Sequence, residues 1–471
     1  MLGTLRATLA AAGYTAESVG QPQRLHRFLV GTGADAVRDL DERLAALVTL
    51  FALGGRLPLG VARRVLQPAR LEEIQETGLL SLNGQWVAAN YLLLPHRHLL
   101  IAGDGHRPGD PDVVGSYSEP SLVLARLTPR MTARSMLDLG TGSGVLALLG
   151  AEHCGGVTAV DINARALMFA RFNARLNEIP DIELLEGSWF EPVAGRRFDL
   201  ILANPPYIVS PDREFAYRDS GARGTALLDG LIRQTAEHLE PDGLGILLCS
   251  WPHASKDDWV AAPRSAVAAT GCDAVILCQA TLDPLDYAVS WNAPPIRFLP
   301  PDSLRRTVAR WLGYYTDIGA GALSYGAVIL RRRMTGTPWV SSWRAGCMPG
   351  DRASEQLVRA IAGHDLNAVD DGALLARRFS LPDGIDITQR FARRQGRFLE
   401  RPALIRLDGG LGVTAAVNAD VLDVVFACNG RETLSQTVAR FAERHGMPTD
   451  ALANSVTVTV RELLRHGLLD S

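Results

Sequence analysis

The chain has 471 residues, 47% of them apolar and 21% charged, with a net charge of −3. That is a globular composition, too long for one ordinary core at roughly 150 residues per domain, and the small net charge excludes a global basic field for nucleic acid. No run of about 18 apolar residues is present to span a membrane, and the six cysteines (154, 249, 272, 278, 347 and 428) form neither a CxxC pair nor a Cys/His cluster at zinc spacing, so buried free thiols, no metal and a reducing cytoplasm are expected.

Residues 1–111 read as a mostly helical, winged-helix-like domain. Leu40, Leu44, Leu47, Val48 and Phe51 recur at helical spacing, and Gly54-Gly55 ends the run. A short helix around 58–66 follows, then "PARLEEIQETGLL", then strands in "QWVAANYLLLPHRHLLIAGDG". The region up to residue 110 holds 11 Arg and 10 acidic residues, too balanced for a DNA-binding wing. The opening "MLGTLRATLAAAGY" lacks the charged lead and cleavage site of a secretory signal.

Residues 112–335 alternate strand and helix. "SMLDLG", "GVTAVDI", "IELLEG", "FDLILA", "LGILLCSW", "DAVILCQA" and "SYGAVILRRR" are the strand candidates, with a helical insert, "PDSLRRTVARWLGYY", between the last two. The pattern predicts an α/β fold, a seven-stranded, mostly parallel Rossmann-like sheet with helices on both faces. Residues 336–355 carry Gly, Pro, Ser and Trp without periodicity and read as a linker. Residues 356–471 read as a second winged-helix-like domain. "VLDVVFACNGRETLSQTVARF" predicts two helices, the second capped near Thr433, and "TDALANSVTVTVRELLRHGLL" a third. Gly78 and Gly467 suit the left-handed residue that follows a helix. "QRFARRQGRFLER" gathers Arg390, Arg393, Arg394, Arg397 and Arg401, read either as a solvated helix face or as a patch for RNA phosphate or an acidic peptide.

The chemistry concentrates at four successive strand ends. "MLDLGTGSGVLAL" is a buried strand, then Gly140, Gly142 and Gly144, then a helical start, with Asp138 two residues before the first glycine. Such a turn lets the backbone approach a ligand, and the helix start offers free N–H groups to a carboxylate. Asp161 ends the second strand 21 residues after Gly140, where a carboxylate can accept both hydroxyls of a ribose. The other reading makes Asp161 or Asn163 the cap of the next helix. The third strand ends in Ser188, Trp189 and Phe190, a polar and aromatic edge for a flat base or simply core. The fourth, "FDLILANPPYI", stops on Asn204-Pro205-Pro206-Tyr207. Two prolines cannot extend a sheet ladder, but the Asn204 side chain and the backbone still present carbonyl oxygens. Two such acceptors gripping the two N–H groups of an amide or amino nitrogen turn its delocalised lone pair toward a methyl donor.

On these motifs, residues 112–335 resemble the class I S-adenosylmethionine-dependent methyltransferases, and Asn204-Pro205-Pro206-Tyr207 narrows the resemblance to those acting on planar or amide nitrogen. "GSWFEPVAGRRFDLILANPPYI" is similar to the release-factor glutamine methyltransferases, and "ARALMFARFNARLN" to that group and the related rRNA guanine methyltransferases. The resemblance implies S-adenosyl-L-methionine as cofactor. It places Asp138, Gly140 and Gly142 at the methionine part, with Thr141 and Gly144 in the same turn. It puts Asp161 and Ile162 at the ribose, Ser188 and Trp189 at the adenine, and Asn204 beside both cofactor and acceptor. Asn204 and the Pro205 carbonyl grip the acceptor NH₂ and Tyr207 packs on its plane. Many relatives carry Asp where Ser188 stands. The release-factor enzymes have a small helical N-terminal domain and nothing long after the last strand, and this chain departs from both. Its C-terminal region is similar to winged helices that bind leader peptides. A macromolecular acceptor follows, protein or peptide ahead of RNA, with a small molecule as another possibility and a cofactor-sensing binding protein as the non-enzymatic one. Arg213, Arg218 and Arg223 in the loop after Tyr207 are read as phosphate or carboxylate contacts or as a solvated loop. Tyr117 and Pro120 are candidate contacts before the first strand.

Overall fold

Asp41 begins the helix that the apolar stripe predicts. Its carboxylate accepts the backbone N–H groups of Arg43 and Leu44, two of the donors that a helix N-terminus leaves open. The helix runs Glu42–Phe51, and Gly54 leaves it at φ 63°. The computed structural model describes residues 2–19, 37–105, 110, 112–179, 181–215, 218–293 and 299–471. The chain divides into two units, Met1–Leu122 with Met131–Leu248, and Val123–Arg130 with Cys249–Ser471.

In the first unit, helices Leu2–Ala11, Glu42–Phe51, Leu59–Val65 and Leu71–Glu76 accompany a small antiparallel sheet. Its strands are β1 (Arg56–Pro58), β2 (Leu80–Asn83) and β3 (Trp86–Ala89), in the order β1-β3-β2. Gly78 precedes β2 at φ 77°, as its place after a helix predicts. Strands β4 (Leu92–His96) and β5 (Leu99–Gly103) form a separate hairpin. Helix Ala164–Leu176 and the residue just past it bind this hairpin with two asparagines. Asn173 pairs with both the N–H and the C=O of Ala102, and Asn177 with those of Leu100. A side-chain amide carries a donor and an acceptor side by side, as a peptide group does, so the pair satisfies a strand edge that has no further strand. Phe169 and Leu176 of the same helix share one buried cluster with Leu5, Leu9, Leu47 and Phe51.

The strands that carry the motifs are parallel. β6 (Met136–Leu139), β7 (Val157–Asp161), β8 (Ile182–Glu186), β9 (Phe198–Ala203) and β10 (Leu239–His253) lie in the order β10-β9-β6-β7-β8. All four residues of β6 are buried, Asp138 among them, as in a strand covered on both faces. Leu139 lies opposite Val160 on β7 and Ala203 on β9. This register brings the carboxyl ends of the three strands level.

The second unit contains β11 (Asp273–Leu282), β12 (Ala322–Arg331) and β13 (Val340–Arg344), with β11 antiparallel to β12 and parallel to β13. All seven expected strands form, but among the described residues the sheet has eight. The eighth, β13, lies in the segment read as a linker. Five residues, Val-Ser-Ser-Trp-Arg, with only the Trp buried carry no alternation to read, and pairing with β11 makes the strand. The insert between β11 and β12 contains helix Pro301–Asp317, as predicted.

Beyond β13 come helices Ala353–Leu366 and Asp371–Leu375, then strands β14 (Ile385–Arg394), β15 (Arg397–Leu407) and β16 (Ala415–Val417), then helices Ala419–Phe426, Leu434–His445 and Thr449–Arg465. Thr433 caps the middle one of these last three, exchanging hydrogen bonds with Gln436 in a capping box. Gly467 follows the last at φ 64°. "QRFARRQGRFLER" is not a helix: it forms the outer part of the β14–β15 hairpin, turning at Gln395 and Gly396 with φ of 47° and 78°. Two successive left-handed residues end any helix and fit a tight hairpin turn. Cys249, Cys272, Cys278 and Cys428 are buried free thiols, whereas Cys347 is exposed and Cys154 half-buried. Among the described residues no helix is long and apolar enough to cross a membrane.

Candidate active site

The first strand end is built around a buried acid. Asp138 is fully buried on β6; its Oδ2 accepts the Thr141 hydroxyl at 2.6 Å and the Ala147 N–H at 3.1 Å. The carboxylate thus holds the glycine turn to the start of helix Val145–Gly150, and it consumes one of the N–H groups expected to face a ligand. Its other oxygen, Oδ1, is buried without a hydrogen-bond partner. Burial pushes the Asp138 carboxyl up to about 6, against the opposing pull of its two donors.

The turn itself needs glycine for two different reasons. At Gly144, φ is 85° and a Cβ would lie 3.0 Å from the Ala170 Cβ, so the absence of a side chain lets two helices meet. At Gly142, φ is 56° and a Cβ would meet nothing within 4 Å, so this side of the turn is open. The Gly142 N–H donates to Asp161 Oδ2 at 2.8 Å, and Asp161 Oδ1 accepts from the Asn163 N–H at 2.9 Å. Asn163 caps the following helix through the Arg165 N–H, which decides between the two capping candidates and leaves Asp161 on the turn. Burial raises the Asp161 carboxyl, and three backbone N–H groups pull it back down. Ile162, beside it, is 66% exposed, an unusual place for a large apolar side chain unless something covers it.

At the third strand end Phe190 is buried against the His238 ring, while Ser188 and Trp189 are half-buried. Trp189 has φ 51°, a left-handed backbone that a bulky residue rarely adopts. Of the two aromatics, then, one is core and the other sits on a strained corner at the strand end.

The fourth strand end meets the first. A Cβ on Gly140 would lie 3.9 Å from the Asn204 carbonyl oxygen. Asn204 is half-buried, and its Nδ2 donates to the Ser121 hydroxyl at 3.0 Å. Ser121 in turn lies 3.0 Å from the Ser118 hydroxyl. With its amide nitrogen engaged, Asn204 has its Oδ1 left to accept. Pro205 is buried and Tyr207 half-buried. The sequence gives no sign of Ser118 or Ser121, because serines at the first turn of a helix (here Glu119–Leu127) are ordinary.

One expectation for the neighbouring loop changes. Arg218 is not a solvated side chain or a ligand contact. It is 4% exposed and ion-paired to Asp219 at 2.8 Å and to Asp212 at 3.5 Å, and Ser210 donates to the same Asp219. Ile208 and Asp219 form a β-bridge, so the chain after Tyr207 is folded back and pinned by a buried ion pair. Arg213 stays at the surface on the Gly221 carbonyl. Tyr117 donates to the Pro95 carbonyl at 3.1 Å, and burial pushes its hydroxyl up to about 12; Pro120 is half-buried in the first turn of the same helix as Ser121. Among the described residues, no three His, Cys, Asp or Glu side chains are placed to hold a metal ion.

The model of the methyltransferase small domain matches residues 119–250. The release factor glutamine methyltransferase of Yersinia pestis is 40% identical over 170 residues, covering 33% of this chain and 58% of that protein. A Methanocaldococcus jannaschii protein, carried under a provisional name as a protein N5-glutamine methyltransferase, is 32% identical over 141 residues, covering 28% of this chain and 70% of that protein. This chain therefore spans little more than half the length of the Yersinia relative. A methyltransferase structure from Pyrococcus furiosus aligns over 50% of this chain and 90% of its own at 16% identity and a TM-score of 0.29, a score too low to argue from. The motifs at the four strand ends all lie between residues 119 and 250, and this chain belongs to the class I methyltransferases of the small-domain family, in the group that includes the release factor glutamine methyltransferases.

Proposed function

We propose that the chain is an S-adenosylmethionine-dependent methyltransferase that methylates an amide nitrogen of a protein or peptide, in the cytoplasm. One observation carries this reading. The glycine turn after β6 lies beside both residues the reaction needs: the Gly142 N–H donates to Asp161, and a Cβ on Gly140 would stand 3.9 Å from the Asn204 backbone carbonyl. Asp161 and Asn204 therefore border the same turn.

The residues present fit the cofactor. Gly142 has open space where a side chain would stand. The lone Asp138 Oδ1 is a buried acceptor that an ammonium would satisfy. Each Asp161 oxygen accepts a backbone N–H, from Gly142 or Asn163, and retains a lone pair for a ribose hydroxyl. Ile162 and Trp189 offer apolar surface for the base, and Ser188 a hydroxyl for its edge. When bound, S-adenosylmethionine supplies a methyl group activated by its sulfonium. The chain supplies alignment. Asn204 Oδ1 and the Pro205 carbonyl accept the two N–H bonds of the acceptor amide, twisting its lone pair out of conjugation and toward the donor. Ser121 fixes which end of the Asn204 amide faces that way. Tyr207 holds the amide plane, and residues 208–215, beside the buried Arg218–Asp219 pair, form the wall beyond it. Alignment of this kind supplies on the order of 7–11 kcal/mol of the barrier.

The glutamine methyltransferase names of the relatives support an amide acceptor on a protein. We read the flanking regions as winged-helix-like units. The C-terminal one, three antiparallel strands followed by three helices, supports a peptide partner. The test is transfer of labelled methyl from the cofactor into cell lysate. Label that protease removes and RNase leaves, recovered as N5-methylglutamine, is the expected result; RNase-sensitive label or none overturns the reading. Asn204→Ala is expected to lower turnover at least 100-fold with cofactor affinity unchanged, and Asp161→Ala to weaken cofactor binding at least 10-fold by calorimetry.

A further inference from the structure

β14 is the edge strand of its sheet, paired with β15 on one side only. From Ile387 to Arg394, no backbone group of this strand bonds to a described residue outside β15. Such an edge leaves a row of N–H and C=O groups open to another strand. The same stretch carries Arg390, Arg393 and Arg394 and no acidic residue. None of these three arginines ion-pairs with a described residue, although Arg406, at the base of the hairpin, is paired with Asp386. Side chains alternate across a strand, and the register sets Arg390, Ala392 and Arg394 on one face, Phe391 and Arg393 on the other. On the first face Arg401 and Arg397 stand directly opposite Arg390 and Arg394, a like-charge arrangement that is destabilising. On the second, Glu400 lies across from Phe391 rather than from Arg393, and Phe391 is 62% exposed.

An open edge with unpaired arginines on both faces constrains what can cover it. Charge on an edge strand deters pairing with ordinary apolar strands. A second copy of this edge would bring arginine to arginine with no acid to offset it. A nucleic acid strand offers phosphates but no alternating amide N–H and C=O groups to continue a ladder. An extended peptide has that row, and its own side chains alternate, so that one strand along the edge reaches both faces at once. Opposite Arg390, Arg393 and Arg394 such a strand needs acidic residues, and opposite Phe391 an apolar one.

We propose that the β14 edge captures an acidic peptide as an added strand. The peptide backbone continues the ladder, its acidic side chains meet Arg390 and Arg394 on one face and Arg393 on the other, and an apolar side chain meets Phe391. This extends the reading of the C-terminal region as peptide-binding. No residue of the candidate active site takes part, so peptide capture and methyl transfer can fail separately. The net charge of −3 makes the attraction local to the edge.

The test is fluorescence anisotropy of the full-length protein with the labelled peptides TEETVET and TEVTEET, which match the edge in antiparallel and parallel pairing. Three opposite-charge cross-strand pairs predict that one of the two binds about 10-fold more tightly than its counterpart with Gln for every Glu. N-methylation of every second amide, in the two alternate sets, removes donors either toward β14 or away from it. One set is expected to cost about 10-fold and the other less than about 3-fold, because an added strand bonds the edge through one side only. The Arg390→Ala, Arg393→Ala, Arg394→Ala triple variant is expected to lose about 10-fold, and Phe391→Ala about 3-fold. Circular dichroism and an unchanged thermal midpoint show that the variants fold, and the N-methyl series needs no variant. No binding of either peptide at about 100 µM protein, as a working limit, overturns the proposal. Equal affinity of the two N-methyl sets does the same, as does displacement of the bound peptide by U20 RNA at lower concentration than by the unlabelled peptide.

Discussion

At the scale of single residues, two side chains carry consequences that can be measured. Asp138 has its carboxyl pushed up to about 6 by burial, and its unpartnered oxygen suits an ammonium. A bound cation favours the ionised form. Cofactor affinity is therefore expected to rise as pH increases from 5 to 7 and to level off above, because below about 6 binding must first expel a proton. Calorimetry across that range checks it, and Asp138→Asn should flatten the profile while lowering affinity. Ser121 holds the Asn204 amide through one hydrogen bond of 3.0 Å. Losing it frees the amide to rotate, and a bond of this kind contributes about 1 kcal/mol. Ser121→Ala is expected to lower kcat on the order of 10-fold with the cofactor KM unchanged, and Ser121→Thr to restore most of it; a change in KM alone would make Ser121 a packing residue only. The sequence marks Asp138, Asp161 and Asn204 because acid, glycine and proline at strand ends have few other uses. It is silent on Ser118 and Ser121, whose role exists only once helix Glu119–Leu127 has been laid beside β9.

At the scale of elements, ion pairs do work that apolar patterning does not announce. Asp273 begins β11 fully buried and accepts from Arg331 and Arg333, at the end of β12 and just after it, and from the Trp339 N–H just before β13. Both arginines also reach Asp365 on helix Ala353–Leu366. One carboxylate thus joins three strands, and through its arginines a helix. Removing one partner of a buried pair leaves the others uncompensated, at a cost of about 3–5 kcal/mol. Asp273→Ala is expected to lower unfolding free energy in urea by about 3 kcal/mol; a change within about 0.5 kcal/mol, the range of ordinary surface substitutions, would show the network to be incidental. The same cluster explains why β13 has no strand signal in the sequence: its place is fixed by partners far away in the chain, while its own five residues have no apolar period. The β14–β15 hairpin departs from the helix expectation for a related reason. Arginine-rich segments lack an apolar stripe of either period, so only the left-handed pair at Gln395 and Gly396 decides the turn.

At the scale of the whole molecule, the parallel order β10-β9-β6-β7-β8 brings separate motifs to one edge of the sheet. Strand ends that lie far apart in the chain become neighbours because hydrogen-bond register levels Leu139 with Val160 and Ala203. Ligand sites collect at that edge in open α/β sheets. The sequence by itself determined the seven motif strands, the helix from Pro301, the Thr433 cap and the identity of the candidate site residues. These are set by local chemistry: continuous apolar runs, glycine where φ is positive, and proline where a ladder must stop. Only the tertiary structure decided the eighth strand, the β14–β15 ribbon, the internal use of Arg218 and Asp138, the docking of β5 by Asn173 and Asn177, and the hold of Ser121 on Asn204. Each of these depends on a partner more than one helix or strand away, or on the choice between solvent and a buried counter-charge, and neither is encoded in the spacing of neighbouring residues.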